Sequence, residues 1–300
     1  MELLVVSFLF SVLLTPLSVF CAARVGALDT PDGERKRHTL PTPRLGGLAV
    51  FLSVLAAGLL FLPATSFRAA LLSGGALLCV LGVSDDVFSL SPTLKLLSEL
   101  FVALTAVAFG VYPRAFTLGT LTLAPPAWVC AVFSVALLLL LSNAFNLIDG
   151  LDALATTQGL ASSAALSLYA PTSWVLFGAL LGFLPYNRRA LGLLPVRMLP
   201  TRSFLGDTGA LFIGYALALF ALSASRFSLF SLLFFAVPLY DLCSSVLRRL
   251  VKKKNPFRAD REHLHHRLEK KGYSPALAVL LLLLYALLFA SVGVLLREIF

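Results

Sequence analysis

Five short stretches of this chain carry residue types that can do chemistry. Asp85 and Asp86 close the run Gly82-Val83-Ser84-Asp85-Asp86. Adjacent carboxylates at the end of an apolar helix oppose its dipole and repel each other. A hard divalent cation would offset both costs; a solvated turn would also tolerate the pair. Phe204-Leu205-Gly206-Asp207-Thr208-Gly209 supplies another carboxylate. Asp207 suits either the N-cap of the helix that follows or a metal ligand beside backbone N–H groups that favour phosphate. Phe204 suits an interfacial belt or a stacking surface for a base.

From Asn143 to Asp152 the chain reads Asn-Ala-Phe-Asn-Leu-Ile-Asp-Gly-Leu-Asp, with a polar residue at every third position. On a helix such a row drifts by about 60° per step. Asn143 with Asn146, and Asp149 with Asp152, are therefore expected to act as pairs, with Gly150 bending the chain between them. Amides and carboxylates at this density suit nucleotide or sugar hydroxyls; a polar loop with helix caps is the plainer alternative. His263, His265 and His266 are three of the four histidines. No second cluster completes a zinc shell, and the many basic neighbours favour phosphate oxygens or anionic lipid heads. Arg35, Lys36, Arg37, His38 and Arg44 precede Gly46-Gly47, a cluster suited to a phosphate or to lipid. Lys95, ten residues past Asp85, suits a counter-ion or a phosphate ligand.

The elements that must position these groups are membrane helices. Hydrophobic residues make up 59% of the 300 and charged residues 13%, and the mean hydropathy is +0.92. Too few charges remain to cover a soluble surface. The net charge of +9 does not indicate nucleic acid, because the bases lie in loops between apolar runs without interleaved aromatics. Cys21, Cys79, Cys130 and Cys243 form no CxxC pair, so neither a disulfide framework nor a thiolate metal site is expected. The first apolar run lacks a basic prefix and has Phe20 before Cys21; it is expected to be a retained span.

Apolar runs at about 3–24, 45–63, 67–84, 94–112, 126–142, 152–170, 173–186, 208–224, 227–247 and 276–297 predict an all-α, polytopic bundle of about ten transmembrane helices. Twenty of the 24 bases fall in alternate loops, which the positive-inside rule assigns to the cytoplasm, leaving both termini outside. Thirteen of the 15 acids sit in or beside the same loops. Topology does not require that; an active site on that face would. The chain reads as one domain, 1–300, with cytoplasmic loops at about 25–44, 85–93, 143–151, 187–207 and 248–275. A cation-coupled transporter is the competing class, but its ionisable groups would sit near mid-bilayer, commonly within repeats.

Taken in order, these segments resemble the polyprenyl-phosphate N-acetylhexosamine-1-phosphate transferase family, of which the MraY and WecA types are branches. The match comprises D-x-P…R-K-x-H…P-x-x-G-G from Asp29, the Asp85-Asp86 pair with Lys95, and N-A-x-N-x-x-D-G-x-D from Asn143. It continues through G-F-L-x-x-N ending at Asn187, F-x-G-D-[ST]-G at 204–209 and H-x-H-H at 263–266. The resemblance implies a helical membrane enzyme that moves a sugar 1-phosphate from a UDP-amino sugar to undecaprenyl phosphate and releases UMP. It implies Mg²⁺, with Mn²⁺ able to substitute. Asp207 is implied as the metal ligand, with Asp85 and Asp86 near the metal and the lipid phosphate. Arg35, Lys36, His38, Arg44 and Lys95 are implied as substrate ligands. Asn143, Asn146, Asp149, Asp152 and Asn187 would line the nucleotide-sugar pocket, Phe204 would stack on uracil, and the three histidines would contact the sugar nucleotide.

The H-x-H-H pattern resembles the WecA branch more than the MraY branch, favouring UDP-GlcNAc over UDP-MurNAc-pentapeptide. Ala153 stands where the family has a glycine, and Glu99 where a glutamine is common. The implied location is the bacterial inner membrane with the site facing the cytoplasm. Expected partners are the UDP-sugar, the prenyl phosphate and the bilayer, with no nucleic acid; the oligomeric state stays open, a homodimer included.

Overall fold

The computed structural model describes residues 1–29, 42–187, 202–253 and 262–300. Arg35, Lys36 and His38 lie outside them. The described chain is mostly α-helical, and each apolar run of the sequence becomes a helix: α1 (Glu2–Val25), α2 (Gly46–Phe61), α3 (Ser66–Phe88), α4 (Pro92–Ala108), α5 (Ala127–Ile148), α6 (Leu154–Ser167), α7 (Trp174–Phe183), α8 (Gly206–Leu222) and α9 (Ala236–Val251), with α10 (Leu264–Lys270) preceding α11 (Pro275–Ile299). Five segments are long and apolar enough to cross a membrane: α1, α3, α5, Leu229–Val251 ending in α9, and α11. Helices α2 and α8 are apolar but shorter.

Local chemistry sets the ends. Thr65, Ser91 and Ser274 cap α3, α4 and α11 with their hydroxyls, and Pro92 and Pro275 take first-turn positions that need no N–H. Helix α3 runs four residues further than the hydrophobic pattern predicts, so Asp85 and Asp86 are helical rather than in a loop. Asn143 and Asn146 likewise lie within α5. These polar residues occupy last turns whose inward faces reach the site, so the helix continues past the apolar pattern.

Five short strands amend the all-α expectation. Strands β1 (Leu28–Asp29) and β2 (Thr42–Pro43) pair antiparallel beside the start of α2. Strands β3 (Ala115–Leu118) and β4 (Leu121–Leu123) form a hairpin turning at Gly119, φ +61°, and β5 (Arg226–Ser228) adds to β3 in parallel. Phe116, Phe133 and Phe227 meet edge to face under this sheet. The β3–β5 pairing ties together connections distant in sequence, which no local periodicity reveals.

Helix α8 is the centre: every residue from Thr208 to Leu222 is buried, packed by α5, α3 and α2. Glycines let backbones touch there, as small residues do in membrane bundles. A Cβ on Gly47 would lie 2.1 Å from the Gly209 nitrogen, and one on Gly214 would lie 2.2 Å from the Leu141 carbonyl oxygen. Helix α1 buries Ser7, Ser11, Thr15 and Ser18 toward its neighbours. The hydroxyls of Ser7, Thr15 and Ser18 bond back to carbonyls one turn earlier, while the buried Ser11 hydroxyl has no hydrogen-bond partner among the described residues.

Candidate active site

The acidic residues gather where α3, α5 and α8 end or begin on one face of the bundle. Asp207 is the second residue of α8. Gly206 before it has φ +71°, and a Cβ there would meet the Arg44 carbonyl at 2.1 Å and Asp86 Oδ2 at 2.8 Å; only glycine fits. The approach to α8 is stitched to the β2–α2 corner by three backbone bonds: Phe204 N–H to Pro43 (2.8 Å), Gly46 N–H to Phe204 (3.0 Å) and Gly47 N–H to Leu205 (2.8 Å).

Lys95, in the first turn of α4, places its ammonium between α3 and α8. It donates to Asp85 Oδ2 at 2.8 Å and to Asp207 Oδ2. The other Asp85 oxygen accepts the Leu90 N–H at 2.8 Å. Both Asp85 oxygens are therefore engaged, and Asp86 accepts from the Thr208 hydroxyl at 3.3 Å and from the Asp207 backbone N–H. One turn beyond Lys95, Glu99 is buried and accepts from Asn143 Nδ2, which also donates to the Leu139 carbonyl.

Helix α5 stops at Asp149, and the turn Gly150–Ala153 enters α6 with Ala153 at φ +65°. Asn187 holds this turn: its Oδ1 accepts the Ala153 N–H and the Thr156 hydroxyl, both at 2.9 Å, while its Nδ2 donates to Ser203 at 3.2 Å. Asp152 pairs with Arg202 at 2.7 Å, and that guanidinium lies 4.7 Å over the Phe204 ring. Arg44 pairs with Asp29.

These elements enclose a polar cavity of about 270 Å³ lined by Asp29, Arg44, Asp86, Asp149, Asp152, Asn187, Phe204 and Asp207. Asp149 is half-buried. Burial, reinforced by the nearby charges of Asp207, Asp152 and Asp86, pushes its carboxyl well above the usual carboxylate range. Among the described residues no hydrogen-bond donor meets it. Five carboxylates on one small cavity, against two guanidinium groups, form a hard-oxygen surface with negative charge left to neutralise. Among the described residues no three metal-binding side chains converge as a ready-made cage. Mg²⁺ held by one or two carboxylates and by substrate phosphates needs none, so the residues present fit it, with Asp207 and Asp86 on the cavity wall.

Asn143, Asn146 and the histidines are not part of that wall. Asn143 stands behind it on Glu99. The histidines flank the 149–152 turn, with His265 against Gly150: a Cβ on that glycine would lie 2.2 Å from Nε2. His265 is buried with neither ring nitrogen hydrogen-bonded among the described residues. Burial and the neighbouring His266 push it down to about 3. His263 Nδ1 lies 3.0 Å from Asp241 Oδ2. Sequence reasoning passed over Asp241; its signal was an acid inside the ninth apolar run. It also passed over Arg202 as a partner of Asp152 and Phe204.

Comparison with known proteins adds a second line. The model of the family described as "Glycosyl transferase family 4" matches residues 68–225. A Bacillus subtilis protein named "Probable undecaprenyl-phosphate N-acetylglucosaminyl 1-phosphate transferase" is 33% identical, over 98% of this chain and 84% of its own length. The decaprenyl-phosphate N-acetylglucosaminephosphotransferase of Mycobacterium tuberculosis is 33% identical, over 88% of this chain and 74% of its own. The undecaprenyl-phosphate alpha-N-acetylglucosaminyl 1-phosphate transferase of Escherichia coli K12 is 30% identical, over 96% of this chain and 81% of its own.

Proposed function

Because this chain belongs to glycosyl transferase family 4, we propose that it transfers GlcNAc-1-phosphate from UDP-GlcNAc to undecaprenyl phosphate, releasing UMP. The observation that carries the proposal is the small acidic cavity at the ends of apolar helices, where a soluble nucleotide sugar can meet a membrane-bound phosphate. The chain is proposed to cross the bacterial inner membrane about ten times, with both termini outside and the cavity facing the cytoplasm, as its loop charges favour.

The reaction brings two anions together, so their repulsion must be screened and the leaving UMP stabilised. Mg²⁺ bound at Asp207 and Asp86 would supply Lewis acidity and charge neutralisation at the pyrophosphate. Lys95 holds Asp207 toward the cavity and keeps Asp85 on the helix end. Arg44, with Arg35, Lys36 and His38 of the same segment, is proposed to take phosphate oxygens. Phe204, flattened under Arg202, offers a face to uracil. Asp149 and Asp152 offer acceptors to ribose or sugar hydroxyls, and Asn187 fixes the turn that presents them. Asn143 and Asn146 support that wall from α5, and the histidines contact the sugar nucleotide from the far side of the turn.

A prenyl phosphate is largely ionised near neutral pH and needs no strong base. Its oxygen attacks the sugar-bearing phosphorus in line, and the bond to the bridging oxygen breaks as UMP leaves. Asp85, with both oxygens occupied, is a poor nucleophile in this arrangement. Trapping a phosphosugar adduct on Asp85 or Asp86 would replace direct transfer by a two-step route. The proposal is tested by purified protein with Mg²⁺, undecaprenyl phosphate and, in parallel, UDP-GlcNAc, UDP-GalNAc and UDP-MurNAc-pentapeptide. UMP release with UDP-GlcNAc is expected; release with none of the three would overturn the enzyme reading. Mn²⁺ should support the same reaction.

A further inference from the structure

A carboxylate buried in a membrane helix is costly unless its oxygens are satisfied. Asp241, within α9 and only 1% exposed, is such a group. Its two oxygens reach out of α9 to one short segment: Oδ1 accepts the Leu264 N–H at 2.8 Å and Oδ2 lies 3.0 Å from His263 Nδ1. An ionised carboxylate can only accept. With Oδ1 taking the Leu264 N–H, an Nδ1–H on His263 gives Oδ2 its donor and leaves Nε2, which no described residue hydrogen-bonds, as the nitrogen that meets anything else.

The same contact aligns a row. The His263 and His265 rings lie parallel within 6°, 6.0 Å apart, and His266 sits 4.1 Å from His265. His265 touches Gly150, the residue between two cavity-lining carboxylate positions. A short segment following residues 254–261 is thus tied to α9 at Asp241, next to the Arg248 and Lys252 contacts with Glu262. The unmet ring nitrogens of His265 leave hydrogen-bonding capacity in that row for a ligand.

We infer that Asp241 is a positioning residue for the transfer: it holds His263 in the Nδ1–H form and anchors the start of α10, so that the histidine row stands against the Asp149–Asp152 turn and presents His263 Nε2 to the sugar nucleotide. The inference rests on the transferase reading above. Asp241 itself touches no substrate. Its effect passes through His263.

The test uses the full-length protein with UDP-GlcNAc and undecaprenyl phosphate. Asp241→Asn keeps the shape but places an N–H donor opposite His263. The KM for UDP-GlcNAc should rise roughly 10- to 100-fold, the worth of one charge-assisted hydrogen bond, while the KM for undecaprenyl phosphate changes less than about threefold. Asp241→Glu should recover part of the loss. In a double-mutant cycle, Asp241→Asn should add nothing once His263 is alanine. Wild-type kinetics in Asp241→Asn, or full additivity with His263→Ala, would overturn the inference. Nitrogen-15 spectra of histidine-labelled protein give an activity-independent readout: His263 should show protonated Nδ1 in the wild type and lose that form in Asp241→Asn. An Nε2–H form in the wild type would overturn the inference even with the enzyme active. A normal Nδ1–H signal with no UMP release would instead count against the transferase reading.

Discussion

Substituting Gly82 by alanine should separate the two halves of the cavity without unfolding the protein. Gly82 lies in α3, one turn before Asp85 and Asp86, where that helix touches the start of α8. A Cβ at Gly82 would lie 2.3 Å from Thr208 Cα and 2.4 Å from its nitrogen. Ordinary contact begins near 3.4 Å, so α3 and α8 must part by about 1 Å. The obstacle is backbone, which no rotamer change removes. The Asp86–Thr208 hydrogen bond, already 3.3 Å, would break, and the Lys95 bridge between Asp85 and Asp207 would stretch.

A displacement of about 1 Å in a catalytic constellation costs on the order of 10²-fold in rate. Overpacking costs about 1–3 kcal/mol of stability, offset in part by the roughly 1 kcal/mol that alanine gains over glycine inside a helix. The variant should therefore fold and turn over about a hundredfold more slowly, measured as UMP release from UDP-GlcNAc with a thermal melt alongside. Gly58→Ala is the control: its Cβ would meet only the ends of the Leu72 and Leu62 side chains, at 3.2 and 3.4 Å and away from the cavity, and should leave activity near wild type. A folded Gly82→Ala protein retaining a third or more of wild-type kcat/KM would refute the claim that backbone contact sets the site.

Asp207→Asn should lower turnover on the order of 10³-fold, since several kcal/mol of charge stabilisation is at stake, with no recovery as Mg²⁺ is raised; near-normal turnover would remove Asp207 from the metal site. Asn187→Ala leaves the Ala153 N–H and the Thr156 hydroxyl without their acceptor, and should cost about 3 kcal/mol of stability in thermal or denaturant unfolding. His265 is pushed down to about 3 in the folded protein against about 6.5 when unfolded. Only the unfolded state gains its proton as pH falls below 6.5, so stability is full above that pH and drops by about 2 kcal/mol at pH 5. His265→Asn should flatten that slope in melts between pH 5 and 7, and an unchanged slope would assign the acid sensitivity elsewhere.

Hydrophobic runs were enough to find the long helices, because each must present an apolar surface over its whole length. Their polar ends were harder. Asp85, Asp86, Asn143 and Asn146 look like loop residues, yet all four are helical; the first three are satisfied by Leu90, Lys95, Thr208 or Glu99, partners that periodicity does not show. The short strands were invisible for a related reason: β5 pairs with β3 more than a hundred residues earlier. Among site residues, Asp86, Asp149, Asp152, Phe204 and Asp207 do share one cavity, as motif chemistry suggested. Asn187 lines it as well, but its hydrogen bonds make it the clasp of the turn. Asp241 was passed over because a single acid in an apolar run gains meaning only from what packs beside it, here His263, 22 residues on.

These observations argue that the site is positioned mainly by backbone. Helix α8 has no lipid-facing side from Thr208 to Leu222, so it cannot shift without repacking three neighbours. Those neighbours meet it at Gly47, Gly82 and Gly214, where no side chain intervenes to absorb a change. Gly206 then turns the chain at φ +71°, where any side chain would strike Arg44 and Asp86, and Asp207 follows. The contacts of Gly47 with Gly209 and of Gly82 with Thr208, and the turn at Gly206, all act within two residues of Asp207, while Gly214 fixes α8 further along against Leu141. By contrast, exposed apolar residues such as Leu13, Val80 and Leu284 contact only the surrounding solvent, lipid in the membrane reading. Exchange of one apolar side chain for another there should leave turnover intact, whereas one added methyl at a helix-contact glycine should not.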